Sequence, residues 1–416
     1  YLFEDLEPHY YHFMNQDGTP KESFGGGRLG TTHQMSRRVL VDSITFLIET
    51  YKVDGFRFDM MGDHDAASIN EAYQAASKIN PNILFLGEGW KSYVGDDGDL
   101  RQAADQSWMN QTSSVSVFSD DLRNRLKSGF PHEGEPAFLS NGKTDINSLY
   151  QSLIGVPENF TSQSPQNVVQ YIEAHDNLTA HDVIALSAGL DPATSETEIQ
   201  KRLRLGQVLI TTAQGVPFIH SGQEYGRTKQ FCHPHYKYLG EGWQAPIEDT
   251  FLNPFVKEYP LFVHNSYASS DAVNHFDWAK AIDTTKFSKQ VESVAYLSGL
   301  LKLRQSTDAF SLSDYDAIRK SVHLLSQPGK SGVQAKDLFL AYETQASDGR
   351  RFGIFVNADT QERELQLSGS SSDFTSGEVV VDAVSAGRVA LPAPKGVRVT
   401  ENSIILSPLT ACVIRI

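Results

Sequence analysis

Three carboxylates in this chain stand where chemistry could be done with them. Asp59 ends the stretch Val53-Asp54-Gly55-Phe56-Arg57-Phe58-Asp59, which has the apolar character of a buried strand. Side chains alternate faces along a strand, so Arg57 and Asp59 are expected to project to the same side. A guanidinium fork two residues before a carboxylate matches its geometry and holds it ionised and oriented. The same spacing also occurs as a plain strand-end ion pair, and taken alone it leaves both readings open. Two further stretches shift the balance. Ile83-Leu84-Phe85-Leu86-Gly87 runs into Glu88-Gly89-Trp90, and Val168-Val169-Gln170-Tyr171-Ile172-Glu173-Ala174 runs into His175-Asp176-Asn177. Three acid-tipped strands in one chain suggest a constellation of carboxylates suited to proton transfer and nucleophilic attack.

The elements that must carry these residues alternate. Thr32 is expected to cap a helix running through Arg37 to Tyr51, with Val39, Leu40, Ile44, Leu47 and Ile48 as its apolar stripe. The Asp59 strand follows, then a helix over Ala66–Ile79, and Asn80-Pro81 leads into the Glu88 strand. A short strand at Ser114–Phe118, a helix over Asp120–Ser128, a loop-rich rim passage from Gly129 to Pro165 and the strand Val168–Ala174 continue the pattern. A helix over Glu196–Gln214, a strand Val216–His220 and a helix over Val291–Arg304 close it. Near-continuous apolar strands alternating with helices predict a parallel sheet covered by helices, counted here as five βα units. From Ser313 the pattern changes to short alternating stretches, such as Leu338–Tyr342 and Arg351–Val356, separated by Gly, Ser, Asp and Asn turns. This predicts an antiparallel β-sandwich with no acid cluster and a structural role.

In this order and spacing, the motifs DGFRFD, GEGW and HDN resemble three signature regions of the alpha-amylase family of glycoside hydrolases. Within that family the chain is similar to the type I pullulanases, and the likeness runs from its start to its end. The resemblance implies an α/β fold, a (β/α)8 TIM-type barrel of which strands four to eight are present, followed by a C-terminal antiparallel β-sandwich. Residues 1–312 would belong to the catalytic barrel and 313–416 to the sandwich. It implies retaining hydrolysis of α-1,6-glucosidic linkages in pullulan, glycogen and branched starch-derived glucans. Asp59 would be the nucleophile and Glu88 the general acid and base, their carboxyls about 5–5.5 Å apart. Asp176 would bind sugar hydroxyls and favour the distorted transition state. Arg57 would keep Asp59 charged, His175 would donate to a hydroxyl, and Trp90 would stack on a glucose ring, with core packing as its plainer alternative. Asn177 is a weaker candidate, since asparagine after a strand is also a turn former. Asn265-Ser266-Tyr267 and the run Asp271–Trp278 resemble the loop after the eighth strand. Asn274 and Asp277 would then reach substrate, unless they serve hydrogen bonds inside the loop. Glu173 reads as structural.

The family's region at the end of the third strand, an aspartate with an asparagine–histidine pair, has no match here, nor has the tyrosine-rich motif of type I pullulanases. The opening at Tyr1 without an initiator methionine agrees with an upstream half of the same protein that supplies the first three strands as a partner. A retaining carboxylate set serves related chemistry equally well. An isoamylase, a branching enzyme, or a non-catalytic glucan-binding protein are therefore the alternatives.

The remaining features exclude more than they assign. At 416 residues the chain exceeds one compact core and predicts two domains. Its net charge of −15 argues against nucleic acid and anionic membrane surfaces, and is compatible with a neutral polysaccharide. No apolar run is long enough to span a bilayer. Gly25-Gly26-Gly27 lacks the lysine and hydroxyl of a phosphate loop. Cys232 and Cys412 form no disulfide framework, and Cys232-His233-Pro234-His235 lacks a second ligand pair for zinc. No cofactor is required. A structural calcium ion, frequent in the family, is not localised by any ligand loop here. A polymeric substrate implies a secreted or cell-surface setting.

Overall fold

A computed structural model describes residues 2–24, 26–230, 260–267, 269 and 271–416. The chain packs as two compact units, one formed by Tyr1–Ser119 with Val156–Val169 and the other by Asp120–Gly155 with Gln170–Ile416.

The first unit is built on parallel strands. Gly55–Phe58 pairs with Leu84–Gly87, that strand pairs with Ser116–Phe118, and Val168 and Val169 pair with Val117 and Phe118. The helices Gln34–Tyr51 and Ala66–Ile79 precede the first two strands. Ala66–Ile79 matches its expected range, because Asp65 caps it by accepting from the Ser68 N–H. The cap of the other helix is His33, not Thr32, and its side chain makes no cap bond. The His33 ring is instead held between the Tyr10 carbonyl, at 2.5 Å, and Asp96, at 2.6 Å. Of the expected stripe, Ile44 and Ile48 enter the core while Leu47 is 36% exposed. Between Glu88 and Val115 the chain forms no α-helix, only the short 3-10 turn Gln106–Trp108.

Two expected strands are shorter than the sequence suggests. The strand beginning at Val168 ends at Gln170, and the one beginning at Val216 ends at Pro217. Gln170 O accepts from the Phe218 N–H at 2.9 Å. The helices Asp120–Lys127 and Ser288–Gln305 stand close to their expected ranges. Ala180–Ser187 is a further helix, announced by Thr179, which accepts from the Asp182 N–H at 3.2 Å. Pro192–Thr212 begins four residues before its expected start, where Asp191 caps it and Pro192 takes a position that needs no N–H donor. Every residue from Arg202 to Thr212 is buried.

One face of that helix meets the C-terminal sheets. Five antiparallel strands lie in the order Glu378–Val381, Thr410–Arg415, Arg351–Asn357, Phe339–Gln345 and Val322–Leu324. Three more, Arg363–Gln366, Ser403–Leu406 and Val397–Val399, form a second sheet. Leu205, Leu209, Ile354, Val356 and Val413 belong to one continuous core. Polar ties cross it: Thr212 Oγ1 lies 2.6 Å from the Tyr342 hydroxyl, and the Tyr296 hydroxyl donates to Asp382 O at 2.9 Å. The lone cysteine described, Cys412, is buried there and free.

His181 couples this core to pH. Its ring is buried, with Nε2 3.0 Å from Glu196 and Nδ1 3.2 Å from Asp182. Burial opposes its charge, but the two carboxylates outweigh burial and push its pKa up to about 9. A histidine raised on folding adds stability that is complete below its unfolded value of about 6.5 and disappears as pH climbs through about 9. In the full-length protein, His181→Gln is therefore expected to cost most at pH 6 and progressively less towards pH 9.5. Urea unfolding across that range checks it, and a penalty that does not change with pH would refute the coupling.

Candidate active site

In the first unit, the parallel register sets Phe58 beside Gly87. The next residues, Asp59 and Glu88, therefore leave neighbouring strands side by side. The backbone is laced at this point: Glu88 N–H donates to Phe58 O at 3.2 Å, and Gly62 N–H donates to Glu88 O at 2.8 Å. Met60 takes a left-handed conformation, φ 43°, which turns the chain sharply into the 3-10 turn Met61–Asp63. Its N–H donates to Glu88 Oε2 at 2.9 Å. Arg57 hydrogen-bonds Asp59 and also lies 3.1 Å from Glu88 Oε2, so one guanidinium serves both carboxylates.

The two acids have different surroundings. The Asp59 side chain is 74% exposed and open to an incoming ligand, whereas that of Glu88 is 11% exposed. One reachable carboxylate and one sheltered carboxylate beside a shared cation can divide nucleophilic and proton-transfer work between them. Trp90 is half-buried after Gly89. Behind the pair, buried Asp63 accepts from Ser92 Oγ at 2.6 Å and pairs with Arg28 and Ser23. Arg28 in turn donates to Ser92 O at 2.6 Å. This cluster ties the turn after Asp59 to the loop after Trp90.

In the second unit, His175 and Asp176 are exposed, with His175 Nε2 3.3 Å from Asp176 Oδ2. Asn177 adopts φ 58°, the left-handed conformation that asparagine tolerates better than most residues, and so shapes the turn. Asn274 donates to Ser266 O at 2.8 Å and to Ser269 O at 3.0 Å, bonds internal to its loop. Asp277 caps the short helix Trp278–Ile282, accepting from Lys280 N–H, while its own N–H donates to the Tyr225 hydroxyl. Glu173 is buried, accepts from Ala180 N–H at 2.7 Å and lies 2.9 Å from His220 Nδ1.

Sequence reasoning did not single out Arg28, Asp63, Lys127 or Lys229 around these turns. Asp63-His64-Asp65, a charged run directly after an apolar strand, was a legible signal for buried pairing. Lys127 and Lys229 carried none, because nothing near them in sequence marks them as buried. Among the described residues, no group of three or more His, Cys, Asp and Glu side chains could hold a metal ion. Cys232, His233 and His235 lie outside the described residues. Also among the described residues, no helix is long and apolar enough to cross a membrane.

Gly62 offers a direct check on the lacing. A Cβ added there would stand 1.8 Å from the Trp90 carbonyl oxygen, and both groups belong to fixed backbone. Gly62→Ala is expected to destabilise the protein by about 1–3 kcal/mol through overpacking. Urea unfolding measures this, and an unchanged midpoint would mean that the turn can yield.

Comparison with known proteins shows what the chain is similar to. A family model described as SpuA C-terminal matches residues 321–416. Pullulanase A of Streptococcus pneumoniae serotype 2 is 54% identical over the whole chain, which covers 33% of that relative. The catalytic module of the multi-modular glycogen-degrading pneumococcal virulence factor SpuA matches with a TM-score of 0.95 and 53% identity, over 100% of this chain and 59% of that one. The Group B Streptococcus pullulanase SAP in complex with maltotetraose matches with a TM-score of 0.95 and 52% identity, over 100% of this chain and 54% of that one. The chain thus spans about a third of the length of the curated pullulanases A it matches. Its fold is of the alpha-amylase type with a C-terminal domain, combining a parallel half-barrel sheet with antiparallel sheets.

Proposed function

We propose, from the chain's 54% identity to pullulanase A of Streptococcus pneumoniae and its likeness to the SpuA catalytic module, that the protein carrying it is a retaining glycoside hydrolase that cleaves α-1,6-glucosidic linkages in pullulan, glycogen and branched starch fragments. The observation that carries the reading is the single Arg57 guanidinium contacting both Asp59 and Glu88 at the ends of adjacent parallel strands. The site of catalysis is expected at that end of the strands, as in barrels of this kind.

The chemistry needs two carboxyl groups in sequence. Glu88 gives its proton to the glycosidic oxygen as the Asp59 carboxylate attacks the anomeric carbon; the carbon–oxygen bond breaks and a glycosyl–Asp59 ester forms. Glu88, now a carboxylate, takes a proton from water, which displaces Asp59 and restores both groups with retained configuration. The exposure of Asp59 and the shelter of Glu88 favour this division. Arg57 holds the Asp59 carboxylate in orientation between turnovers. Asp176 binds sugar hydroxyls in the oxocarbenium-like transition state, with His175 donating to a neighbouring hydroxyl and Trp90 stacking on a ring. Asn177, Asn274 and Asp277 have structural bonds of their own and are assigned secondary contacts with substrate.

Residues 1–312 are assigned to the catalytic barrel, as its strands four to eight, and 313–416 to a β-sandwich. The first three strands are assigned to sequence upstream in the same protein, a reading favoured by the larger size of the relatives. A polymeric substrate favours secretion or display at the cell surface.

The test is hydrolysis by the full-length protein of pullulan and, separately, of linear amylose, beside an Asp59→Asn variant. Release of maltotriose from pullulan alone, reduced by at least about 10³-fold in the variant, is expected, since loss of the nucleophile that forms the covalent intermediate lowers kcat by orders of magnitude. Cleavage of amylose but not pullulan would discard the α-1,6 assignment and keep the carboxylate mechanism.

A further inference from the structure

The turn that carries Asp176 is held from beneath by a set of buried charged side chains that the proposed chemistry does not use. Lys229 Nζ donates to His175 O at 2.7 Å and to Asn177 O at 2.6 Å, so it grips the backbone on both sides of Asp176. Lys127 Nζ donates to Leu178 O at 2.7 Å. The carboxylates complete the pattern: Glu133 accepts from Leu178 N–H at 3.1 Å and Glu173 from Ala180 N–H at 2.7 Å. Each of the four side chains is at least nine-tenths buried, while His175 and Asp176 themselves face outwards. They come from separate segments: the end of the Asp120–Lys127 helix, the loop at Glu133, the residue before Ala174 and the loop after Gly226. Outer contacts hold the acids in turn, with His264 2.5 Å from Glu133 and His220 2.9 Å from Glu173.

Burying two lysines is expensive unless their donors are satisfied, and a fold seldom retains such groups merely to fill space. Burial pushes both Lys127 and Lys229 down to about 8, a measure of how far they are removed from water. Lys229 spends its donors on peptide carbonyls, which aliphatic or polar neutral side chains of similar length could not do with the same charge assistance. The bond pair also spans Asn177, whose left-handed conformation has to be maintained against the ordinary preference of the chain.

We propose that Lys229, supported by Lys127, Glu133 and Glu173, is a positioning residue that fixes the Asp176 turn so that its carboxylate is preorganised for the transition state. The inference rests on the function proposed above for Asp176. Its physical core, the grip on the turn, can be read without any substrate.

The experiment uses the full-length protein with Lys229→Met, Asp176→Asn and the double variant. Amide exchange by mass spectrometry is expected to speed up at least about tenfold over residues 175–180 in Lys229→Met, with the strand Gly55–Phe58 unchanged. On pullulan, kcat should fall about 10²-fold while KM moves less than about threefold, and Lys229→Met should add little to the loss already caused by Asp176→Asn. Lys229→Arg, which keeps the charge and the donors, should retain the exchange protection. It also serves if Lys229→Met fails to fold, since loss of protection at 175–180 in folded Lys229→Arg with equal loss elsewhere would contradict a local grip. Unchanged exchange at 175–180 in folded Lys229→Met would overturn the proposal. So would activity losses that multiply with Asp176→Asn. If wild-type protein leaves pullulan intact, the proposed function fails, whereas the exchange data still decide the inference.

Discussion

The register between two neighbouring parallel strands is the constraint on which the site depends. Pairing Phe58 with Gly87 makes Asp59 and Glu88 the first residues beyond the ladder on each side. A slip of one residue would turn one of the two carboxylates to the other face of the sheet. The register is pinned twice beyond the strands, by Glu88 N–H to Phe58 O and by Gly62 N–H to Glu88 O. Arg57 can then span both acids because its own side chain leaves the strand on their side. What the strand pairing brings together, the arginine holds in place through its contacts with both acids.

Much of this was legible because it is local. Arg57 and Asp59 are two residues apart, and alternation along a strand is enough to put them together. The helix Ala66–Ile79 was legible from its place between two apolar strands, and the structure shows Asp65 capping it. The strands at Val168 and Val216 were misjudged in length, because apolar residues continue past the last ladder bond into segments buried for other reasons. The Ala180–Ser187 helix was not expected, although Thr179 carries its capping signal. The helix starts one residue later than the expected Thr32 cap requires, and the ring of its cap His33 makes no cap bond because it is committed to Tyr10 and Asp96.

Long-range polar contacts were the least legible part. Lys229 meets carbonyls more than fifty positions earlier in the chain, and Arg28 meets Asp63 across 35. No pattern within a window of sequence announces such a meeting. Both sets do the same physical work in their own unit: they satisfy buried backbone or carboxylate groups where a strand has just ended and a functional side chain is about to be presented. Loop geometry near the candidate site is thus held by charges that are largely withdrawn from solvent.

The helix Pro192–Thr212 has a further consequence. From Arg202 onward it has no solvent face, since one side rests on the helices of its unit and the other on the C-terminal sheets. A premature stop or a protease cut that removed residues 321–416 would strip one wall from Leu205, Leu209 and their neighbours. The shortened product would carry a broad oily surface into the cell or the medium, where such surfaces lead to aggregation and clearance. The C-terminal module is in that sense a condition for the buried helix of its own unit to stay covered.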